Sequence, residues 1–355
     1  MAGPLTARTS GVVLLRSLRV DDDCIWGQMK SLEWWYDVDP GFLAHTALLQ
    51  DSFTTRVAGR DALVYPPGVP AGAISWANAP LGPPQIAGYT ASSPPGEQWG
   101  WLDSFTADNE EIVAVKRLVL TSQFDPDVED AQVVAEQVVE ATASWWAAVS
   151  AWVELITGQH LTHVGHYKPQ VLGNVTPIWL IGEDGFSSTS MKIRTTSRIE
   201  LSPLNLVDSS IFRNVLFLAE PGPPLAWTLL RDARSLKNVG QHRRAVIDAA
   251  TAADLGVTQL LDEQLQIHNP TERAAILQKN PMLGQKVKQL SKLGVPLPQS
   301  FNDKLVCKRN VAVHEGAIIT NQQCSDAIGE AVSVVEKAFP LPKLPTTAQS
   351  LKRLW

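Results

Sequence analysis

Apolar residues along the second half of the chain recur every three to four positions, the period of helices with one buried face. The pattern predicts a helix over 225–237, closed by Asn238 and Gly240. A longer one is predicted over 241–265, with Val246, Ala249, Ala250, Ala253, Val257, Leu260 and Leu261 as its apolar stripe. Short helices are predicted over 271–279 and 283–293, and Gly294-Val-Pro-Leu-Pro298 breaks the chain. A further helix is expected to begin near Ser300, with Asp303 three residues on, and to end at Glu315 with Gly316 as its cap. Thr320-Asn-Gln-Gln323 has the form of a capping box. Behind it Ala327, Ala331, Val334, Val335 and Ala338 supply a buried face, and Pro340 and Pro342 end the helix.

The first half is mixed. Loose alternation over 11–20, an apolar run over 112–124 and segments 177–181 and 191–201 read as strands. One long helix is predicted over 126–156, and the Pro-, Gly- and Ser-rich stretch 65–100 reads as long loops. Glu220-Pro-Gly-Pro-Pro224 is the clearest boundary, because three prolines and a glycine continue neither a helix nor an interior strand. The reading is an α+β domain over 1–221, an all-α helical bundle of four or five helices over 222–342, and a tail over 343–355. A length of 355 residues suits two cores, and 45% hydrophobic with 19% charged residues is a globular composition.

Charge changes this picture. The net charge of −6 speaks against a nucleic-acid partner, yet the average hides a split. From Pro223 onward 17 Lys+Arg face 11 Asp+Glu, a balance of +6; before it 13 face 25, a balance of −12. A basic C-terminal part suits a polyanion, and the acidic part could mask it at rest. Cys24, Cys307 and Cys324 form no CxxC pair, so neither a zinc ribbon nor a disulfide framework is indicated, and a reduced cytoplasmic setting fits. No secretory leader pattern is seen, and the most apolar helical stretch, 143–156, is too short for a bilayer and carries Glu154. The chain therefore reads as soluble, without a membrane partner.

The segment Leu305-Val-Cys-Lys-Arg-Asn-Val-Ala-Val-His-Glu-Gly316 is the richest in chemistry. On a regular α-helix Asn310 and His314 share a face, whereas Arg309 and His314, five apart, project from different sides. Two copies related by a two-fold axis would pool both in one cleft.

Arg309-Asn310-Val-Ala-Val-His314 resembles the Arg-x4–6-His motif of the HEPN superfamily, in its Arg-Asn form. Gln241-His-Arg-Arg-Ala-Val-Ile-Asp-Ala-Ala-Thr-Ala-Ala-Asp254 resembles the long helix of such domains. The likeness covers about a third of the chain, roughly residues 223–341. It implies a HEPN-like bundle, a homodimer formed through it, and RNA cleavage without metal or other cofactor. RNA carries its own nucleophile, the 2′-hydroxyl, so the enzyme has to move protons and stabilise a phosphorane. His314, of a type that titrates near neutrality, suits the general acid for the 5′-oxygen. Arg309 would hold the phosphate through paired donors, and Asn310 would orient His314 or bond a phosphate oxygen. Asp254 is a supporting candidate for fixing Arg309, and Lys308, Arg243 and Arg244 are candidate contacts to the RNA backbone. The likeness further implies a toxin or antiphage effector acting by growth arrest or abortive infection, its N-terminal domain sensing a phage or cellular trigger. The alternative is a non-catalytic dimerisation or ligand-binding module, in which Arg309 pairs with Asp254 and His314 caps a helix end.

Other signals are weaker. His160, His163 and His166 have His-x2-His-x2-His spacing, but read as a polar loop after the long helix. Trp34, Trp35, Trp145, Trp146 and Trp152 read as core, Trp145 and Trp152 being seven apart on one helical face. Trp99 and Trp101, beside Gly100, are expected to be exposed in a loop. No phosphate-binding glycine loop, GxSxG or HExxH is found.

Overall fold

The computed structural model describes residues 13–19, 30–69, 79–84, 99–104, 111–161, 178–181, 188–191 and 205–342. An antiparallel seven-stranded sheet forms from β1 (Val13–Arg19), β2 (Lys30–His45), β3 (Phe53–Val57), β4 (Arg60–Tyr65), β5 (Ala79–Pro80), β6 (Gly100–Ser104) and β7 (Glu111–Phe124). β7 is its spine. One edge of β7 pairs with β2 along most of its length; the other pairs with β6 at one end and β4 at the other. Val113, Val115, Leu118, Val119 and Leu120 are fully buried, which is why β7 reads as apolar on either side of Lys116 and Arg117.

β2 bulges between Asp37 and Phe42. Gly41 sits in the bulge at φ +79°, where a Cβ would lie 2.8 Å from the Val115 carbonyl oxygen. Gly100 is tighter still: a Cβ there would fall 2.0 Å from the Ala114 carbonyl oxygen, so only glycine lets β6 approach β7. This approach overturns the expected exposure of the neighbouring tryptophans. Trp99 is 1% exposed, edge-on to Trp35 at 5.5 Å, and Trp101 is half-buried under Lys116 in β6 rather than in a loop.

The long helix α1 (Ala131–Thr157) starts at Asp130, whose carboxylate accepts from the amides of Gln132 and Val133, and stops at Gly158 with φ +77°. Val134, Val138, Thr142, Trp145, Val149, Trp152 and Ile156 form its buried stripe. The indoles also hydrogen-bond: Trp34 donates to Thr142 Oγ1 and Trp145 to Thr55 Oγ1, both at 3.0 Å. From Ser150 to Thr157 every residue of α1 is buried, because the sheet covers one side and the C-terminal helices the other. The five tryptophans read as core are all buried. A hairpin of β8 (Ile178–Ile181) and β9 (Ser188–Met191) follows. The expected strand over 191–201 lies, past Met191, outside the described residues, as do Cys24, His163, His166 and the 343–355 tail.

α2 (Ser209–Phe217), capped by Asp208, covers edge strand β3, with Thr55 Oγ1 donating to the Leu216 carbonyl. The proline-rich turn leads into α3 (Leu225–Asn238), then α4 (His242–Gln264), α5 (Pro270–Lys279), α6 (Leu283–Lys292), the short α7 (Cys307–Asn310) of the candidate site and, last, α8 (Asn321–Ala338). α4 is the central helix, and all seven residues of its predicted stripe are buried. A Cβ on Gly256 would lie 3.2 Å from Val334 Cγ1, so α4 and α8 cross closely. The predicted capping box of α8 is present. The apolar core runs from the sheet through α1 and α2 into α3, α4 and α8 as one cluster. Among the described residues no helix is long and apolar enough to cross a membrane.

Candidate functional site

Residues 301–315 form one helical stretch whose turns are not uniform. Its middle, α7 (Cys307–Asn310), is α-helical; π turns flank it at Asn302–Val306 and Val311–Glu315. In the first, the Cys307 amide donates to the Asn302 carbonyl five residues back. Phe301, Leu305 and Ala312 are buried and seat the stretch, and Gly316, at φ +65°, ends it. The stretch begins just after Ser300, as expected, the Ser300 carbonyl accepting from the Lys304 amide at 2.8 Å, but the hydroxyl donates to Glu330 Oε1 on α8 instead of capping the first turn.

The second π turn bears on the spacing of Arg309 and His314, which was expected on a regular α-helix. Val311, Ala312 and Val313, three of the four residues between them, lie in it. A π turn bonds residues five apart, where an α-helix bonds residues four apart. The wider turn closes part of the angular gap that a regular helix would leave. Arg309 is half-buried and its Nη1 donates to Asn310 Oδ1 at 3.1 Å, while Asn310 and His314 are exposed. Among the described residues nothing hydrogen-bonds the His314 ring.

Other candidates divide. Arg243 reaches the motif: its Nε donates to the Ala312 carbonyl at 2.5 Å. Arg244 instead donates to Gln241 Oε1 at 2.8 Å, and Lys308 is half-buried on α7 beside Arg309. Asp254 does not fix Arg309. Lys286 of α6 donates to both its oxygens, at 2.9 and 3.1 Å. Eleven residues separate Asp254 from Arg243 on α4, about 16 Å of helix, which removes it from the motif. His242 went unassigned in the sequence although it stands beside Arg243; its Nδ1 meets the Ile319 carbonyl at 3.1 Å. Neither cysteine of the bundle is a placed nucleophile: Cys307 is exposed, and burial pushes the Cys324 thiol up to about 11. Among the described residues no group of three His, Cys, Asp or Glu could hold a metal ion.

A second polar cluster joins α1 to α3. Glu154, 0% exposed, accepts from the Leu161 amide at 2.5 Å and pairs with Arg231 at 3.1 Å. Arg234 Nη2 donates to the Glu154 carbonyl at 2.6 Å. His160 lies alongside, with Nδ1 3.2 Å from Ser235 Oγ and Nε2 3.0 Å from Asn238 Nδ2. Burial, and then the charge of Arg234, lower its pKa from 6.5 to about 4. The folded protein keeps this imidazole neutral while the unfolded chain protonates it below 6.5. Its contribution to stability is therefore complete above pH 6.5 and is lost as the pH falls towards about 4, with a slope of up to about 1.4 kcal/mol per pH unit. Urea unfolding at pH 5 and pH 7 should show a smaller pH-dependent loss in His160→Gln than in the wild type.

No family model, curated protein or solved structure matches this chain. The likeness to HEPN domains rests on the motif and its helical setting.

Proposed function

We propose that the protein is a metal-independent endoribonuclease of HEPN type, with Arg309, Asn310 and His314 as its catalytic residues. The observation that carries this reading is the exposed His314 ring, without a competing hydrogen bond among the described residues, on the same helical stretch as Arg309. An imidazole so placed is open to transfer a proton, and the guanidinium keeps N–H donors for a phosphate oxygen beyond the one spent on Asn310. The basic balance of the helical part supports a polyanionic substrate.

The 2′-hydroxyl oxygen attacks phosphorus, the bond to the 5′-oxygen breaks, and His314 protonates that oxygen as it leaves. The products are a 2′,3′-cyclic phosphate and a 5′-hydroxyl. A base has to take the 2′-hydroxyl proton, and the motif supplies one imidazole per chain. A homodimer would bring two, one as base and one as acid, around a shared phosphate. The acidic N-terminal half would sense a phage or cellular trigger or restrain the nuclease, as in toxins and defence effectors of this type. RNA incubated with the purified protein in EDTA should be cut, while the same RNA with a 2′-deoxynucleotide at the cleavage position should stay intact there. Cleavage of the 2′-deoxy bond, or intact RNA under every condition tried, would refute the proposal; the latter outcome favours a non-catalytic binding module.

A further inference from the structure

Two consecutive residues at the start of α4 grip the chain on both sides of His314. Arg243 Nε holds the Ala312 carbonyl at 2.5 Å, and His242 Nδ1 meets the Ile319 carbonyl at 3.1 Å. A carbonyl can only accept, so both side chains donate. Ala312 and Ile319 are themselves buried, at 0% and 4% exposure. The Ala312 carbonyl lies among the last four of its helix, the ones a helix leaves without a regular partner. A buried carbonyl without a donor is costly, so this bond stabilises the last turn in the form that presents the carbonyl to Arg243. The anchor is firm, because Ala245, Val246 and Ala249 just beyond it are fully buried.

We infer that Arg243 is a positioning residue, which holds the π turn at Val311–Glu315 and thereby sets His314 relative to Arg309, with His242 steadying the far end of the same loop. The inference rests on the nuclease reading for its catalytic consequence, but not for its structural one. It differs from a plain RNA contact, in which Arg243 would spend its charge on a phosphate.

The bond uses Nε, and a glutamine at this position carries its amide nitrogen the same number of bonds from the backbone. Arg243→Gln therefore keeps the donor and loses the charge, whereas Arg243→Ala loses both. The expected result for Arg243→Ala is a drop in kcat of about 100-fold, the cost of a small misplacement. Binding of uncleaved RNA, measured in a His314→Ala background, should change little. The His314 ring resonances of Arg243→Ala should move, and amide exchange over 311–319 should accelerate. Arg243→Gln should recover most of both. Weakened RNA binding with unmoved His314 resonances would overturn the inference, as would a glutamine variant that behaves like alanine. Should the wild type cut no RNA, the resonances and amide exchange still decide: moved and rescued by glutamine they support the clamp, unmoved they refute it, whatever the fate of the nuclease reading.

Discussion

Replacing His314 by alanine is expected to lower the rate of RNA cleavage by about 10²–10⁴-fold, the usual contribution of a placed general acid or base. The unfolding midpoint should hardly move. The ring is exposed and has no hydrogen-bond partner among the described residues, and surface substitutions of that kind stay within about 0.5 kcal/mol. Arg309→Ala should cost about 10²–10³-fold through lost stabilisation of the phosphorane. Arg309→Lys should not restore it fully, because an ammonium cannot engage two phosphate oxygens in a planar fork. The bond from Arg309 to Asn310 spans adjacent residues, so its loss leaves the packing of α7 against α4 intact. A His314→Ala protein that cleaves at the wild-type rate would remove the site from consideration.

The largest effect on stability is expected at Glu154. Its carboxylate is enclosed between α1 and α3, with Arg231 at 3.1 Å and the Leu161 amide at 2.5 Å. Burial lowers the pKa of Arg234 to about 10 despite the opposing pull of Glu154. Arg231 also pairs with Asp232 at 2.7 Å, so Glu154→Ala would chiefly strip the buried Arg234 guanidinium of its nearby opposite charge, at a cost of about 3 kcal/mol. Replacing Glu154, Arg231 and Arg234 together by leucine and methionines should recover much of the loss, since well-packed apolar groups can stand in for a buried ionic cluster. Because the apolar core is continuous across this contact, tryptophan fluorescence and helical circular dichroism should report one urea transition in the wild type. A Glu154→Ala loss below about 1 kcal/mol would mean that the cluster is dispensable.

The helical part was legible because each helix combines a 3.6-residue stripe with explicit ends. α4, α6 and α8 fall within a residue or two of expectation, and their stripes face one core. The sheet was harder. In β2 buried Leu32, Trp34, Tyr36 and Val38 alternate with Ser31, Glu33 and Asp37, but a buried Trp35 interrupts the alternation and the bulge after Asp37 interrupts it again. β3 does alternate, but over only five residues. Trp99 was misjudged because nothing in Trp-Gly-Trp reveals that Gly100 presses against the Ala114 carbonyl. The proline-rich turn marks where α3 begins, yet the core does not stop there, since α1 serves the sheet and the bundle alike.

At the candidate site the sequence supplies the residue types and their spacing. It carries no sign of a π turn, which depends on how Ala312 meets Arg243 across the bundle. Asp254 looked available for Arg309 until Lys286, 32 residues away, took both its oxygens. His242 was visible in Gln241-His-Arg-Arg244, but only its contact with Ile319 gives it a role.

The most direct test is the chemistry of the RNA ends. Purified wild-type protein incubated with total RNA in EDTA should leave 2′,3′-cyclic phosphates and 5′-hydroxyls, and the His314→Ala protein should leave none above background. Fragments ending in 5′-phosphate, or the same cyclic ends from the His314→Ala protein, would contradict the account.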